Sequence, residues 1–504
     1  MSFRLFQARW VLLGLLLAVL VPHAAYAHVG SKDVFEQVSA GPYKLFVTVR
    51  TPTVIPGVAR IEVQSSGAAV DGISVTPVPM TGEAANHPPT ADVMARSASD
   101  PSFFTGNLWM MATGSWEVRF AVSGASGRYT TAVPVPAAAL STMTMHRSLG
   151  LTLGMLGLFL MIGMAGMVAA AVRDARLAPG ATAAPALRRR ARFASVASLA
   201  VMALLVWGGA KWWQVDAADY SAAIYRPLVM HPVLDGNQLQ LKVIAYEPKN
   251  EERHSRSNDD FLPDHGHLMH LYVIRWPEMD AVFHLHPVLA GKGDFRVVLP
   301  AMPEGDYRLY GDVVHRNGFP ETLTARIKIP EGMAGAPLGS EDAEGRPQPL
   351  DRGMLGSSYT LPDGYVMVWD RPAVVTAHTA YAFRFRLMDA EGKPAADMQP
   401  YLGMAGHAAF VKTDGTVFAH THPEGSAAMA AMMLADKSAG GEAGGSMKMD
   451  MADDTAMDMP RHSAPMSNVV EFPYGFPSAG RYRVFIQMKH AGTVETGTFD
   501  VMVE

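Results

Sequence analysis

The sequence predicts a mainly β protein, with three immunoglobulin/cupredoxin-like β-sandwich domains and two transmembrane helices. Three observations carry that expectation. Two apolar runs, Leu149 to Val172 and Phe193 to Ala210, contain no charge and are long enough to cross a bilayer. Elsewhere, short β-rich runs alternate with Gly and Pro punctuation. Beyond the second apolar run the same pattern of runs and motifs occurs twice. At 504 residues the chain is too long for one core. Its composition, 49% hydrophobic and only 18% charged, fits a protein with membrane segments. A net charge of −5 gives nucleic acid no reason to bind. Cysteine is absent, which excludes thiolate metal sites and cysteine nucleophiles, and suits an oxidising compartment. Methionine, with 33 residues, is the compositional outlier.

In chain order, residues 1–27 read as a signal peptide. Arg4 and Arg9 precede the apolar Trp10 to Val21, and Ala25-Tyr26-Ala27 is a small-x-small cleavage site. Cleavage there makes His28 the mature terminus, where amine and imidazole together can hold copper. Residues 28–140 form the first extracytoplasmic sandwich, with strands expected at Tyr43 to Arg50 and Ala59 to Gln64. A short helix is expected near Thr90 to Arg96, and a closing hairpin in GSWEVRFAVSGASGRYTTAVPVP. Membrane helices are expected at 149–172 and 193–213, the second flanked by Trp207, Trp212 and Trp213. The loop between them, 173–192, carries Arg173, Arg176, Arg188, Arg189, Arg190 and Arg192 against one acidic residue, Asp174. Short basic loops stay cytoplasmic, which puts both large flanking regions outside.

Copy one of the repeated module spans 221–330 and copy two 355–504, joined by a Gly/Pro-rich linker at 331–354. In each copy a β-run (LQLKVIAYE, YAFRFRLMD) precedes a His-bearing strand, an HxHP strand and a final hairpin. Aligning on HxHP pairs His284 with His420 and His286 with His422, and His270 then matches His407. Eight residues beyond the hairpin tyrosines Tyr307 and Tyr482 stand His315 and His490; the same count from Trp116 reaches Gly124.

Alternate residues of a strand share a face, so each H-x-H pair presents two imidazoles side by side. The expectation is one metal site from His270, His284, His286 and His315, and another from His407, His420, His422 and His490. His265 and His267 stand as accessory candidates. Imidazole suits copper or zinc. Histidines that recur in a duplicated module also serve as hydrogen-bond networks, which is the competing reading.

The choice of metal rests on an insert in copy two, residues 424–467, which holds nine methionines (Met429, Met432, Met433, Met447, Met449, Met451, Met457, Met459 and Met466) and His462. The insert, with its SMKMDMADDTAMDMPRHSAPM core, is expected to be disordered. Soft thioethers beside carboxylates favour Cu(I), so copper is the expected cofactor, with zinc as the alternative. Met143, Met145 and His146 at the outer membrane edge are a further weak contact.

The segments GSWEVRFAVSG, HLMHLYVIR, AVFHLHP and GDYRLYGDVVHRNG resemble YtkA-like and FixH-like extracytoplasmic β-sandwiches, and more distantly CopC-like copper-binding domains. That resemblance implies a membrane-associated role in metal handling, with a respiratory oxidase or a metal transporter as partner. CopC-like proteins use a mature N-terminal histidine, which His28 matches; His87 is the only further candidate for such a site. Taken together, the chain is expected to be a multi-pass protein of the bacterial inner membrane. Both large regions would face the periplasm and bind, buffer or deliver copper. A metal-free module docking a membrane partner is the alternative. Paired catalytic carboxylates, a nucleophile elbow and a phosphate loop are all missing from the sequence, so an enzyme is not expected.

Overall fold

A computed structural model describes residues 33–175, 177–178, 180–244, 257–438 and 466–504. The signal segment, His28, Met447, Met449, Met451, Met457, Met459 and His462 lie outside the described residues.

Among the described residues the chain is mainly β, arranged as three sandwiches with two long apolar helices between the first and second. The first sandwich packs a five-stranded sheet, which includes Tyr43–Arg50 and Gly57–Gly67, on a four-stranded sheet. The latter contains the expected hairpin Gly114–Gly124 and Gly127–Ala137. Period-two alternation turns Leu45, Val47 and Val49 toward Val118, Phe120 and Val122, and this row is the core. The helix expected near Thr90 to Arg96 is instead two short strands, Asp92–Val93 and Ala95–Arg96, with Met94 buried between them. One turn of helix cannot nucleate alone, and pairing with the flanking sheets satisfies the backbone instead.

The two helices, Arg147–Asp174 and Pro185–Ala222, are long and apolar enough to cross a membrane, and they pack on one another. The second begins earlier than expected, with Pro185 at its first turn, so Arg188, Arg189, Arg190 and Arg192 are helical rather than in the loop. The chain enters and leaves this helix pair at one place: Tyr225 N donates to Ala139 O at 2.8 Å. Ile55 N donates to the Tyr220 hydroxyl at 3.1 Å.

The central strands of copies one and two correspond. His270–Arg275 pairs Val282–Leu285 in copy one, and His407–Lys412 pairs Phe418–Thr421 in copy two. The closing hairpins are Gly305–His315 with Pro320–Ile329, and Gly480–His490 with Thr493–Val503. The linker is not a passive spacer. Its strand Ala343–Gly345 pairs antiparallel with Val282–Leu285 and touches Thr493–Val503 in parallel, joining both copies into one eleven-stranded sheet. An edge strand leaves unpaired backbone groups, and the linker supplies their partners.

Each His-bearing strand is buried on both faces. One face lines its own sandwich, with Leu271, Val273, Phe283 and Leu285 in copy one and Ala408, Phe410 and Ala419 in copy two. The other face meets the opposite copy, where Tyr272, Ile274, Val282 and Tyr310 pack against Ala409, Val411, Phe418 and Phe485. Tyr310 stacks on Phe418 at 4.3 Å and 3°. His270, His284, His407 and His420 continue this second face, so the histidines of both copies come together between them.

The first part of the copy-two insert is the helix Met429–Ser438, a correction to the expectation of disorder beginning at Glu424. Its Ala, Met and Leu residues are good helix formers. Asp264 of copy one accepts from Ala430 N at 2.8 Å at its N-terminal end.

Candidate metal centre

Two triads of imidazoles lie close enough to hold ions: His270, His284 and His286, and His265, His407 and His422. Within each triad the candidate ligand atoms all lie within 4.8 Å of one another. The triads adjoin. The ring of His420 lies between them, 5.4 Å from His270 and His284, 5.3 Å from His407 and 4.8 Å from His422. The two separate sites expected from the sequence are thus one paired centre at the interface of the copies.

His265 is no accessory residue. It sits in a turn closed by hydrogen bonds between Asp264 and His267, with φ of 51° at His265 and 86° at Gly266. The turn projects its ring across the interface to 4.9 Å from His422 and 5.4 Å from His407. The equivalent turn of copy two has Leu402 at φ 52° and Gly403 at 79°, so the crossing histidine is supplied by copy one alone. His267 remains at the rim, stacked on His286 at 4.0 Å and bonded to Glu341 at 3.0 Å.

His315 and His490 do not join either triad, and strand parity gives the reason. His270 is in register with Asp312, and His407 with Gln487. His315 and His490 are an odd number of residues from those positions and therefore face their own sandwiches. His315 is gripped at both nitrogens, by Asp260 at 2.7 Å and Glu321 at 2.9 Å. Burial opposes its charge, but the bonds to Glu321 and Asp260 outweigh burial and raise its pKa. His490 faces Asp363 at 3.1 Å and Asp397 at 3.4 Å and stacks on Tyr365. His87 is exposed at the end of a 3₁₀ turn, outside both triads.

The residues occupying the inward register positions, which sequence reading missed, are Asp312 and Gln487. Tyr272, Tyr401 and Asp342 join them. Asp312 stands 3.4 Å from His420 Nδ1, accepts from Thr322 at 2.5 Å, and has its carboxyl pushed up to about 7 by burial. Asp342 accepts from His286 Nδ1 at 3.0 Å. Carboxylates behind imidazoles fix the tautomer that leaves the other nitrogen free to ligate.

The hydrogen bonds define which nitrogens are free. His270 Nε2 donates to Asp264 O at 3.0 Å, so its Nδ1 carries the lone pair. His284 Nδ1 meets Gln487 Oε1 at 2.8 Å and the Tyr401 hydroxyl at 3.1 Å. Tyr401 donates to Glu341 O and Tyr272 donates to Gln487 Oε1, so both oxygens accept from His284 Nδ1–H. His284 Nε2 then carries a lone pair 3.1 Å from that of His270 Nδ1. Two lone pairs at that separation repel unless a cation lies between or beside them. Ligands about 2.0–2.1 Å from a tetrahedral ion stand about 3.3 Å apart.

Further nitrogens of the cluster have no hydrogen-bond partner although buried: His265 Nε2, His286 Nε2, both atoms of His407, His420 Nε2 and His422 Nε2; outside it, both nitrogens of His490 also lack one and face Asp363 and Asp397. Leaving each unsatisfied costs about 1–3 kcal/mol. Burial first, and then the neighbouring imidazoles, drive the pKa values of His270, His284, His407 and His420 well below normal; His422 falls to about 4. All five are neutral near pH 7, the form that ligates metals.

A family described as a domain of unknown function (DUF8832) matches residues 359–504. The matched segment covers most of copy two, with His407 and His422 but without His265. No curated protein matches the chain. Solved structures align only loosely. Tandem repeats from the extending region of a large adhesion protein share 6% identity over 90% of this chain and 72% of theirs, with a TM-score of 0.16. Native E. coli alpha-2-macroglobulin shares 9% identity over 92% of this chain and 23% of its own, with a TM-score of 0.21. A 1.5-MDa bacterial ice-binding adhesin shares 7% identity over 92% and 99%, with a TM-score of 0.14. Scores this low carry no argument about fold or function.

Proposed function

We propose that the chain is a membrane-anchored metal-binding protein that holds two ions, one per histidine triad, and buffers or delivers them. The observation that carries this reading is the convergence of imidazole nitrogens in two triads: His265 Nε2, His407 and His422 Nε2 without hydrogen-bond partners in one, and in the other His286 Nε2 without a partner beside His270 Nδ1 and His284 Nε2, 3.1 Å apart. Copper is the favoured ion. Imidazole suits copper and zinc alike, but the methionine-rich insert follows His422 directly, and thioethers select Cu(I). Exposed Met143 and Met145 beside the first membrane-length helix supply the same soft chemistry. In this proposal the helices lie in a bacterial inner membrane and the sandwiches in the periplasm, with a respiratory oxidase or a metal transporter as the receiving partner. A relationship to YtkA-like, FixH-like and CopC-like domains belongs to the same proposal. The chain acts as a binder rather than an enzyme.

Thermal unfolding of the detergent-solubilised protein tests it. An ion that binds only the folded state at 1,000 times its Kd adds about 4.1 kcal/mol. Cu(I) or Zn(II) is therefore expected to raise Tm in the wild type and not in a variant with His284→Ala and His407→Ala.

One observation favours a second reading, a metal-free assembly module. If the Gln487 amide turned over, its NH2 would donate to His284 Nδ1, and His284 Nε2–H would donate to His270 Nδ1, closing a chain without metal. The partnerless nitrogens of His265, His286, His407, His420 and His422 count against it, and an absent metal-induced Tm rise would favour it.

A further inference from the structure

The histidine centre sits where three bodies meet, and one side of that junction is hollow. A cavity of about 140 Å³ lies between the first sandwich, copy one and the loop that follows His422. His270, His420 and His422 line it, and so does Asp312. The free Nε2 atoms of His420 and His422 belong to side chains that are nearly enclosed, 5% and 4% exposed.

The size of the cavity suits a small hydrated ion. A water needs roughly 10–15 Å³ of such space, so the cavity holds several waters but no bulky chelate or peptide. Its donors suit a cation. The carboxyl groups of Asp264 and Asp312 line it together with the histidines, and Asp33 and Glu321, bonded to Arg50 and His315, line it as well. The opposite rim of the centre is latched, with His267 stacked on His286 and the pair bonded to Glu341 and Asp342.

The segment after His422, which lines the cavity from Ser426 to Ala428, is held by the first sandwich. Gln37 N donates to Glu424 O at 2.6 Å, and Ala427 N donates to Glu36 Oε1 at 2.6 Å. Ala431 also lines the cavity, and so does Leu140 of the first sandwich.

We infer that this cavity is the loading port of the metal centre, through which a partly hydrated ion passes between the first sandwich and the Ala428–Ala431 wall to reach His420 and His422. The inference rests on the reading of the triads as metal sites. It gives the first sandwich, which contributes no described histidine to the triads, the role of building and holding the port.

The absence of cysteine makes a direct test available. Ala428→Cys places a single thiol on the wall of the port in the full-length protein. The thiol is capped with a methyl or a benzyl methanethiosulfonate, and Cu(II) uptake is followed by stopped-flow absorbance without reductant. Wild-type protein, which has no thiol, defines full occupancy. The benzyl adduct is expected to load roughly tenfold or more slowly than the methyl adduct, because a ring in so small a port leaves little room for a hydrated ion. Leu140→Cys, on the side of the first sandwich, repeats the comparison where one variant folds poorly. Equal loading rates for the two adducts at both positions would overturn the port while leaving the metal centre intact. Failure of the wild type to take up Cu(II), Cu(I) or Zn(II) would instead overturn the metal reading.

Discussion

Which histidines can meet is decided residue by residue, by the parity of each strand. The H-x-H pairs were legible because even spacing on a strand needs no tertiary information. The assignment of His315 and His490 failed on the same rule. Eight residues from Tyr307 and Tyr482 is an even step, and both tyrosines face their own cores, so the histidines do too. The inward positions belong to Asp312 and Gln487, which no histidine count could find. His315→Asn should leave metal stoichiometry unchanged and lower stability by about 1–3 kcal/mol, because Glu321 loses a buried partner. The pH dependence has a definite sign. Since the folded-state pKa of His315 is raised, its stabilisation is full below the ordinary value near 6.5 and fades as pH rises through the folded value. Urea denaturation at several pH values should show that slope in the wild type and lose it in His315→Asn. His265→Ala should behave in the opposite way, with stability near wild type and one bound ion lost, measured by equilibrium dialysis. Loss of neither ion would remove His265 from the centre.

Elements hold the two copies in the one register that lets the triads form. Arg483 is fully buried, pairs with Asp500 at 2.8 and 2.9 Å, and donates to Met279 O and Gln348 O across the interface, both at 2.9 Å. Burial pushes the Asp500 carboxyl up, but the Arg483 bonds and charge prevail and hold it below its ordinary value. A depressed carboxylate stabilises above its unfolded pKa, so this contribution is lost as pH falls below the ordinary carboxylate range. Arg483→Ala leaves the buried Asp500 with Arg481 and Leu355 N as its partners and removes the bonds to Met279 O and Gln348 O, and should cost about 1.5–3 kcal/mol in chemical denaturation. A loss under 1 kcal/mol would mean that other contacts set the register. The Ala343–Gly345 strand was not legible, since three residues in a Gly/Pro-rich linker have no period to read. Only the unpaired edge of Val282–Leu285 calls them into the sheet. The Met429–Ser438 helix was hidden for a different reason: the low-complexity sequence after it masked a local run of helix formers.

Over the whole molecule, the sequence made the three sandwiches, the two helices and the duplication legible, because each leaves a periodic or compositional trace. The docking of the copies left none. It depends on Tyr272, Tyr310, Phe418 and Phe485, which in sequence look like ordinary core residues. That docking turns two expected sites into one paired centre, and it brings His265 across. The contact of Tyr225 with Ala139 puts both flanks of the helix pair at one end. Single cysteines at Ala181 and at Asp363 should therefore label from opposite sides of the membrane in intact spheroplasts; labelling from the same side would break the proposed topology.

Metal content combined with X-ray absorption on the full-length protein bears most directly on the paired centre. The expected result is two ions per chain in imidazole coordination, falling to one in His284→Ala and to one in His407→Ala. Metal bound through sulfur alone, or a stoichiometry that neither substitution changes, would contradict the account.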